Sequence, residues 1–343
     1  MFFQKKLYDV ICIGSTSKDI FFPTDEGIIL ETPEDITAKE KVAFELGGKY
    51  RVGNRYEAIG GVAANVSTGL ARLGRRAACY SKVGSDEMGR WILSLLKQNR
   101  VATEHLFVDE RVKTDLSAII VLTQNGERTI FHNRDANEKL EIFEERIENA
   151  KWLFVSALNG EWKKNLGAIL ECKKRAGLKL AFNPGQHNIK EDAALVSRTL
   201  RQTDVLLLNK DEAIELVMQA PEQHSDKELN DEKFLLKALY EAGAKAIGMT
   251  DGKRGAWGYD GKMMWYCPIR TCQGIVDSTG CGDAFGSGFF AAWLEGKPLD
   301  VALRYGMANS GSVVGFYGAI DGLLHKDEIE RIIQEIIPER LQY

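Results

Sequence analysis

Gly274-Ile275-Val276-Asp277-Ser278-Thr279-Gly280-Cys281-Gly282-Asp283-Ala284-Phe285-Gly286 sets glycines and a carboxylate at the mouth of an apolar segment. Upstream, Lys262 to Cys267 predicts a strand; downstream, the small apolar run Ala284 to Leu294 predicts a buried helix. Gly280 and Gly282 let the backbone turn sharply and approach a ligand closely. A glycine turn that opens a helix presents unpaired N–H groups and the positive end of the helix dipole, which together favour an anion. Asp283 falls on that first turn. Charge stabilisation beside a proton acceptor is what phosphoryl transfer to an alcohol requires.

A plainer reading competes, because an aspartate at a helix start is commonly a cap. Two other glycine motifs are excluded. The spacing from Gly280 to Gly286 misses G-x-G-x-x-G by one residue, and no G-x-x-x-x-G-K-[ST] run occurs anywhere. Residue types alone leave cap and catalyst both open.

Longer motifs separate them. Asp277 to Asp283 followed by Ala284-Phe285 resembles the C-terminal signature D-T-x-G-A-G-D-x-F of the ribokinase-like sugar kinases, the PfkB carbohydrate kinase family. Ser278 and Cys281 depart from it, each small where a small residue belongs. Gly60-Gly61-Val62-Ala63-Ala64-Asn65, running on to Ala71-Arg72-Leu73-Gly74, is similar to the family's N-terminal G-G-x-x-x-N…A-x-L-G motif. The resemblance spans nearly the whole chain. It implies an α/β fold, a ribokinase-like three-layer sandwich with a mostly parallel central sheet and a small β-sheet lid. The expected organisation is one kinase domain over residues 1–343, with the lid inserted from about 20–56 and 108–134.

Apolar content and charge fraction are ordinary for a soluble globular protein. The 343 residues can bury a large core, and the formal net charge of -4 disfavours nucleic acid as the main partner. No apolar run approaches the roughly 20 residues that span a bilayer. The N-terminus lacks a signal-peptide pattern, so the expected location is cytoplasmic. Six scattered cysteines (12, 79, 172, 267, 272, 281) read as reduced thiols. Cys281 stands apart, since a helix N-terminus lowers a thiol's pKa; a redox-sensitive site and merely accidental reactivity are both open, the second favoured.

Along the chain, Tyr8 to Gly14 predicts a buried strand feeding a loop that carries Asp19. Residues 20–56 lose the strand–helix rhythm, with alternation from Val42 to Tyr56; long insertions of this kind serve as lids or binding loops. Gly61 opens a helix from Val62 to Leu73 with Asn65 in its first turn. Thr114 to Leu122 and Arg128 to His132 flank Asn125-Gly126, a strong hairpin signal. Strands then follow at Trp152–Ser156, Leu178–Phe182, Val205–Leu208 and Ala246–Thr250. Such βα alternation predicts a parallel sheet with ligands beyond the strands' carboxyl ends. Glu328 to Ile337 predicts a terminal amphipathic helix.

The resemblance implies roles for these positions. Asp283 would take the substrate hydroxyl's proton, and the amides of Gly280, Cys281 and Gly282 would hold the moving phosphate. Asp19, Gly61 and Asn65 would bind substrate hydroxyls. Asn209 and Glu212, also a capping pair on their own terms, would hold the water shell of Mg2+. Thr250, Gly252 and Gly255 would line the ATP triphosphate, with Lys253 and Arg254 facing phosphate or solvent. Asn309 and the turn Gly318-Ala319-Ile320 would wall the adenine. Asp277 and Thr279 would serve an activating monovalent cation such as K+. The activity implied is ATP-dependent phosphorylation of a small sugar. A nucleoside kinase of the same family, or a relative that only binds ligand, are the alternatives. A homodimer through the lid's exposed edges is expected.

Overall fold

A computed structural model describes residues 7–32, 40–124, 126–219, 224–270 and 276–342. Asn125, Cys272, Gly274 and Ile275, which figure in the sequence reading, lie outside them.

The strands are β1 Tyr8–Ile13, β2 Ser17–Thr24, β3 Ile28–Glu31, β4 Glu40–Ala43, β5 Tyr56–Gly60, β6 Ala77–Gly84, β7 Leu106–Asp109, β8 Leu116–Leu122 and β9 Arg128–Asn133. They continue with β10 Ala150–Val155, β11 Lys179–Phe182, β12 Val205–Asn209, β13 Ile247–Thr250, β14 Ala256–Tyr259, β15 Met264–Cys267 and β16 Glu339–Leu341. Ten of them form one sheet in the order β16-β15-β14-β13-β12-β11-β10-β1-β6-β7. From β7 through β13 every pairing is parallel. The last three strands add antiparallel to that edge.

Alternation along the strands shows why the sheet is covered on both faces. Val10 and Cys12 pack into one core with the helices Val62–Arg72, Cys281–Leu294 and Leu299–Val313. Ile11 and Ile13 pack into the other, with Trp162–Ala176, Gly185–Leu200 and Glu232–Glu241. The strands therefore read as nearly unbroken apolar runs, as sheets buried on both faces do. In the helix Cys281–Leu294 every residue from Ala284 to Ala292 is buried. Gly288 lets its partner cross closely, because a Cβ there would press on the Tyr305 backbone.

Chain order reverses at β1, whose neighbours are β6 on one side and β10 on the other. Such a switch point opens a crevice at the strands' carboxyl ends. A second, four-stranded sheet, β5-β2-β8-β9, stands over it, with a two-stranded hairpin of β3 and β4 beside it. Pairing is antiparallel for β2–β5 and β8–β9, and parallel for β2–β8. Tyr317, from a loop after the Leu299–Val313 helix, closes the small sheet's own core by packing against Phe21 and stacking on Tyr56.

Four local expectations are corrected. Asp19 lies on strand β2, not in a loop, because the chain re-enters pairing at Ser17. The alternation from Val42 to Tyr56 yields strand only at its ends, since nothing in residues 44–55 finds a sheet partner. Strand β7 joins the large sheet beside β6 and not the small one. The C-terminal helix stops at Ile332, and the chain returns as edge strand β16.

Candidate active site

Gly280 caps the helix Cys281–Leu294 in a left-handed conformation, φ 77°. A side chain there would be strained by that φ and would also collide with Ala319. Gly282 is the opposite case: a Cβ built on it meets nothing within 4 Å. The bend is thus packed on its outer side and open toward the crevice.

Asp283 stands where two cavities meet. One, of about 410 Å3, lies under the small sheet and is lined by Asp19, Asn65, Ser117, His132, Arg134 and Asp283. The other, of about 260 Å3, runs under the strand ends and is lined by Asn183, Asn209, Glu212, Thr250, Gly282 and Asp283. Asn65 Nδ2 donates to Asp283 Oδ2 at 2.8 Å. The other carboxyl oxygen is left for a ligand. Asn65 Oδ1 is buried with no partner among the described residues. An orphaned acceptor of this kind costs about 1–3 kcal/mol unless a ligand donor fills it.

Electrostatics sharpen Asp283. Part of its surface faces the cleft, yet protein encloses the carboxyl, and desolvation pushes its pKa up to about 6. The Asn65 bond pulls the pKa down and the charge of Asp19 pushes it up. An ordinary aspartate near 3.9 is a feeble base toward an alcohol; one near 6 is closer to the operating range. Asp19 is buried and its pKa is raised by desolvation, against hydrogen bonds from Ser117 and Ser17. Ser17 Oγ donates to its Oδ1 at 2.9 Å. A side chain at Gly60 would strike that carboxylate. At Gly61, φ 88°, a side chain would strike the Ser15 backbone, so this glycine seats the loop after β1 against the helix Val62–Arg72.

On the other cavity, Asn209 and Glu212 form a reciprocal capping box. Asn209 Oδ1 accepts from Glu212 N at 2.8 Å, and Glu212 Oε2 accepts from Asn209 N at 3.0 Å. Burial raises the Glu212 pKa, and no cation pairs with it among the described residues. Thr250 lines this cavity with them. Gly252 is open, while Gly255 is closed in by the Cys267 backbone and serves the turn. Arg254 is occupied by Glu232 at 2.6 Å and Asp251 at 3.0 Å. Lys253 is exposed.

Three expected site features take other duties. Asn309 is fully buried: its Nδ2 donates to Ala284 O and Ser287 Oγ, and its Oδ1 accepts from Leu324 N. That side chain braces the signature helix and has nothing left for adenine. The turn Gly318-Ala319-Ile320 packs under the bend instead of walling a groove. Asp277, also fully buried, accepts from Thr279 N and Oγ1 at 3.0 and 2.8 Å and from Gly318 N at 3.3 Å. Those bonds fix the carboxylate between the bend and the Gly318 turn. At Cys281, burial and the nearby Asp277 push the thiol up to about 11, which works against the thiolate that a helix N-terminus favours.

Sequence reading missed the small sheet's contribution. Arg128 of β9 reaches across to donate to Ser278 Oγ, and His132 and Arg134 face the larger cavity. The signal was present as period-2 spacing of Arg128, Ile130 and His132 on one face of β9, carried on to Arg134 just past its end.

A PfkB family carbohydrate kinase model matches residues 9–326. The chain belongs to the PfkB family of carbohydrate kinases. It is therefore a phosphotransferase with an alcohol group as acceptor. Among curated relatives, a 5-dehydro-2-deoxygluconokinase of Geobacillus thermodenitrificans is 28% identical over 291 residues, covering 81% of this chain and 85% of its own. Solved structures share the fold at lower identity. The Arabidopsis thaliana ribokinase complexed with ribose and ATP matches with TM-score 0.76 and 19% identity, covering 95% of this chain and 99% of its own. A Burkholderia thailandensis nucleoside kinase in complex with inosine gives TM-score 0.76 and 18% identity, covering 95% and 98%. No helix among the described residues is long and apolar enough to cross a membrane.

Proposed function

We propose that this PfkB kinase transfers the γ-phosphoryl group of ATP to a hydroxyl of a small sugar or sugar-like acceptor, with Asp283 taking the hydroxyl proton. The observation that carries the reading is Asp283's place at the wall shared by both cavities. The acceptor would lie under the small sheet, its hydroxyls on Asp19 and on the orphaned Asn65 Oδ1. The phosphates would lie along Asn209, Glu212 and Thr250, with the terminal group over the bend at 280–282. Backbone amides there are fixed before the reaction, so they stabilise developing charge without reorganising. Asn65 holds one Asp283 oxygen and aims the other at the reacting hydroxyl. The small sheet, acting as a lid inserted into a single kinase domain, excludes water that would otherwise compete as phosphoryl acceptor.

Mg2+ fits as an outer-shell guest. No group of three or more His, Cys, Asp or Glu suited to a metal occurs among the described residues. A buried, cation-free Glu212 beside Asn209 matches an ion that keeps most of its waters. When bound, Mg2+ would neutralise charge on the phosphate oxygens.

The test is ADP production in a coupled assay with ribose, fructose, 2-keto-3-deoxygluconate, adenosine and cytidine. ADP released with a sugar supports the reading, and release with nucleosides alone shifts the acceptor class. Silence across a broad panel would revive the reading of a relative that only binds ligand. The free edges of the small sheet, β5 and β9, carry exposed Tyr56 and Phe131. They support pairing of two copies, which sedimentation reads as a dimer or refutes as a monomer. Five described cysteines are free thiols, in keeping with a cytoplasmic location.

A further inference from the structure

The cavity under the small sheet has a floor of carboxylates, Asp19, Asp115 and Asp283, and a single guanidinium, Arg134. Each carboxylate already has its own partners. Asp115 accepts from Ala136 N at 2.8 Å and Asn137 Nδ2 at 2.6 Å. Asp19 is held by Ser17, and Asp283 by Asn65. Arg134 makes no ion pair among the described residues; its Nη1 donates to Asn159 Oδ1 at 3.3 Å. Most of its five donors are therefore uncommitted in a cavity built for a small ligand. Burial raises the pKa values of Asp19 and Asp115 and lowers that of His132; the charge of Arg134 acts on all three through space, opposing the first two shifts and adding to the third, yet it spends no bond on them.

A neutral sugar would leave that fork unused. Resting on the kinase reading above, we propose that the acceptor is a hydroxylated carboxylic acid, a sugar acid or keto sugar acid. Its carboxylate sits on Arg134, and its hydroxyls run past Asp19 and Asn65 to Asp283. The planar guanidinium offers two parallel N–H donors that match a carboxylate. The charge count favours a carboxylate over a phosphate monoester, which carries nearly two negative charges. Arg128 does not line this cavity, and burial with Arg134 alongside holds His132 toward its neutral form. Arg134 is left as the one permanent cation on the wall, beside three carboxylates that disfavour a second negative charge on the acceptor.

The matched pair D-gluconate and D-glucose isolates the carboxylate, and 2-keto-3-deoxygluconate, adenosine and fructose 6-phosphate extend the comparison. The wild-type protein should show kcat/KM for the acids about 100-fold above that for the neutral sugar, as a lost charged bidentate contact implies. In Arg134→Gln the acid-to-neutral ratio should collapse toward one, and Arg134→Lys should restore part of it. A melting temperature within a few degrees of wild type shows that the variants fold. Preference for glucose, adenosine or the sugar phosphate overturns the proposal and leaves the kinase reading intact. So does an equal fall for acids and neutral sugars in Arg134→Gln, the signature of a merely structural residue. If no compound yields ADP, the kinase reading falls instead. Calorimetric binding of D-gluconate and 2-keto-3-deoxygluconate without nucleotide then decides the acid site alone. Binding lost in Arg134→Gln supports it; no binding to wild type overturns it.

Discussion

Replacing Asn65 by Ala tests whether Asp283 is a tuned base. The bond from Asn65 Nδ2 to Asp283 Oδ2, 2.8 Å long, favours the ionised carboxylate and pulls its pKa down toward about 6. Hydrogen bonds to charged groups are worth about 1.5–3 kcal/mol, and 1.36 kcal/mol corresponds to one pKa unit, so the deletion should raise the pKa by roughly one to two units. Desolvation, the largest influence, stays in place and opposes ionisation further. The assay is the pH dependence of kcat/KM, whose acid limb reports the base in the free enzyme. Wild type should lose activity as pH falls through about 6. The variant's limb should lie one to two units higher, costing roughly tenfold near pH 6.5 and little at pH 9 from ionisation alone. A lowered plateau would add the effect of a misaimed carboxylate. If activity falls uniformly at every pH and the limb does not move, Asn65 serves substrate only and the tuning argument is wrong.

Two further outcomes follow from the same geometry. Asp283 has its folded pKa raised from 3.8 to about 6, so the native state binds its proton more tightly than the unfolded chain does. Its contribution to stability is fully present below pH 4 and lost as pH rises through about 6, a cost of up to about 3 kcal/mol. Asp283→Asn should therefore melt higher than wild type at pH 7.5, with the gap closing near pH 4; a lower melting temperature at pH 7.5 contradicts the burial of that charge. Gly280→Ala should destabilise the fold by about 1–3 kcal/mol through positive φ and collision with Ala319. Gly282→Ala, facing open space, should leave the melting temperature nearly unchanged and lower kcat. Equal melting shifts for both would refute the inner and outer sides assigned to the bend.

Local chemistry made much of this site readable from the chain alone. The glycine bend, the helix it opens and the Asn209–Glu212 cap depend on residues a few positions apart, so their types and spacing carry the signal. The parallel sheet was visible because strands buried on both faces keep one apolar texture. What stayed hidden depends on distant partners. The raised pKa of Asp283 comes from burial first and from the charge of Asp19, against the pull of Asn65, and both partners lie far off in sequence. Asn309 looked available until Ala284, Ser287 and Leu324 were seen to consume it. Arg128, His132 and Arg134 read as an ordinary polar strand face, and only the crevice beneath gives that face a purpose.

The most direct measurement compares Asp283→Ala with wild type for turnover and for ATP affinity in the same preparation. Turnover should fall by about 10²–10⁴-fold, the share a positioned base supplies, while the ATP dissociation constant stays within a few-fold. Turnover within tenfold of wild type would contradict the account, because proton removal would then not depend on the carboxylate between the two cavities.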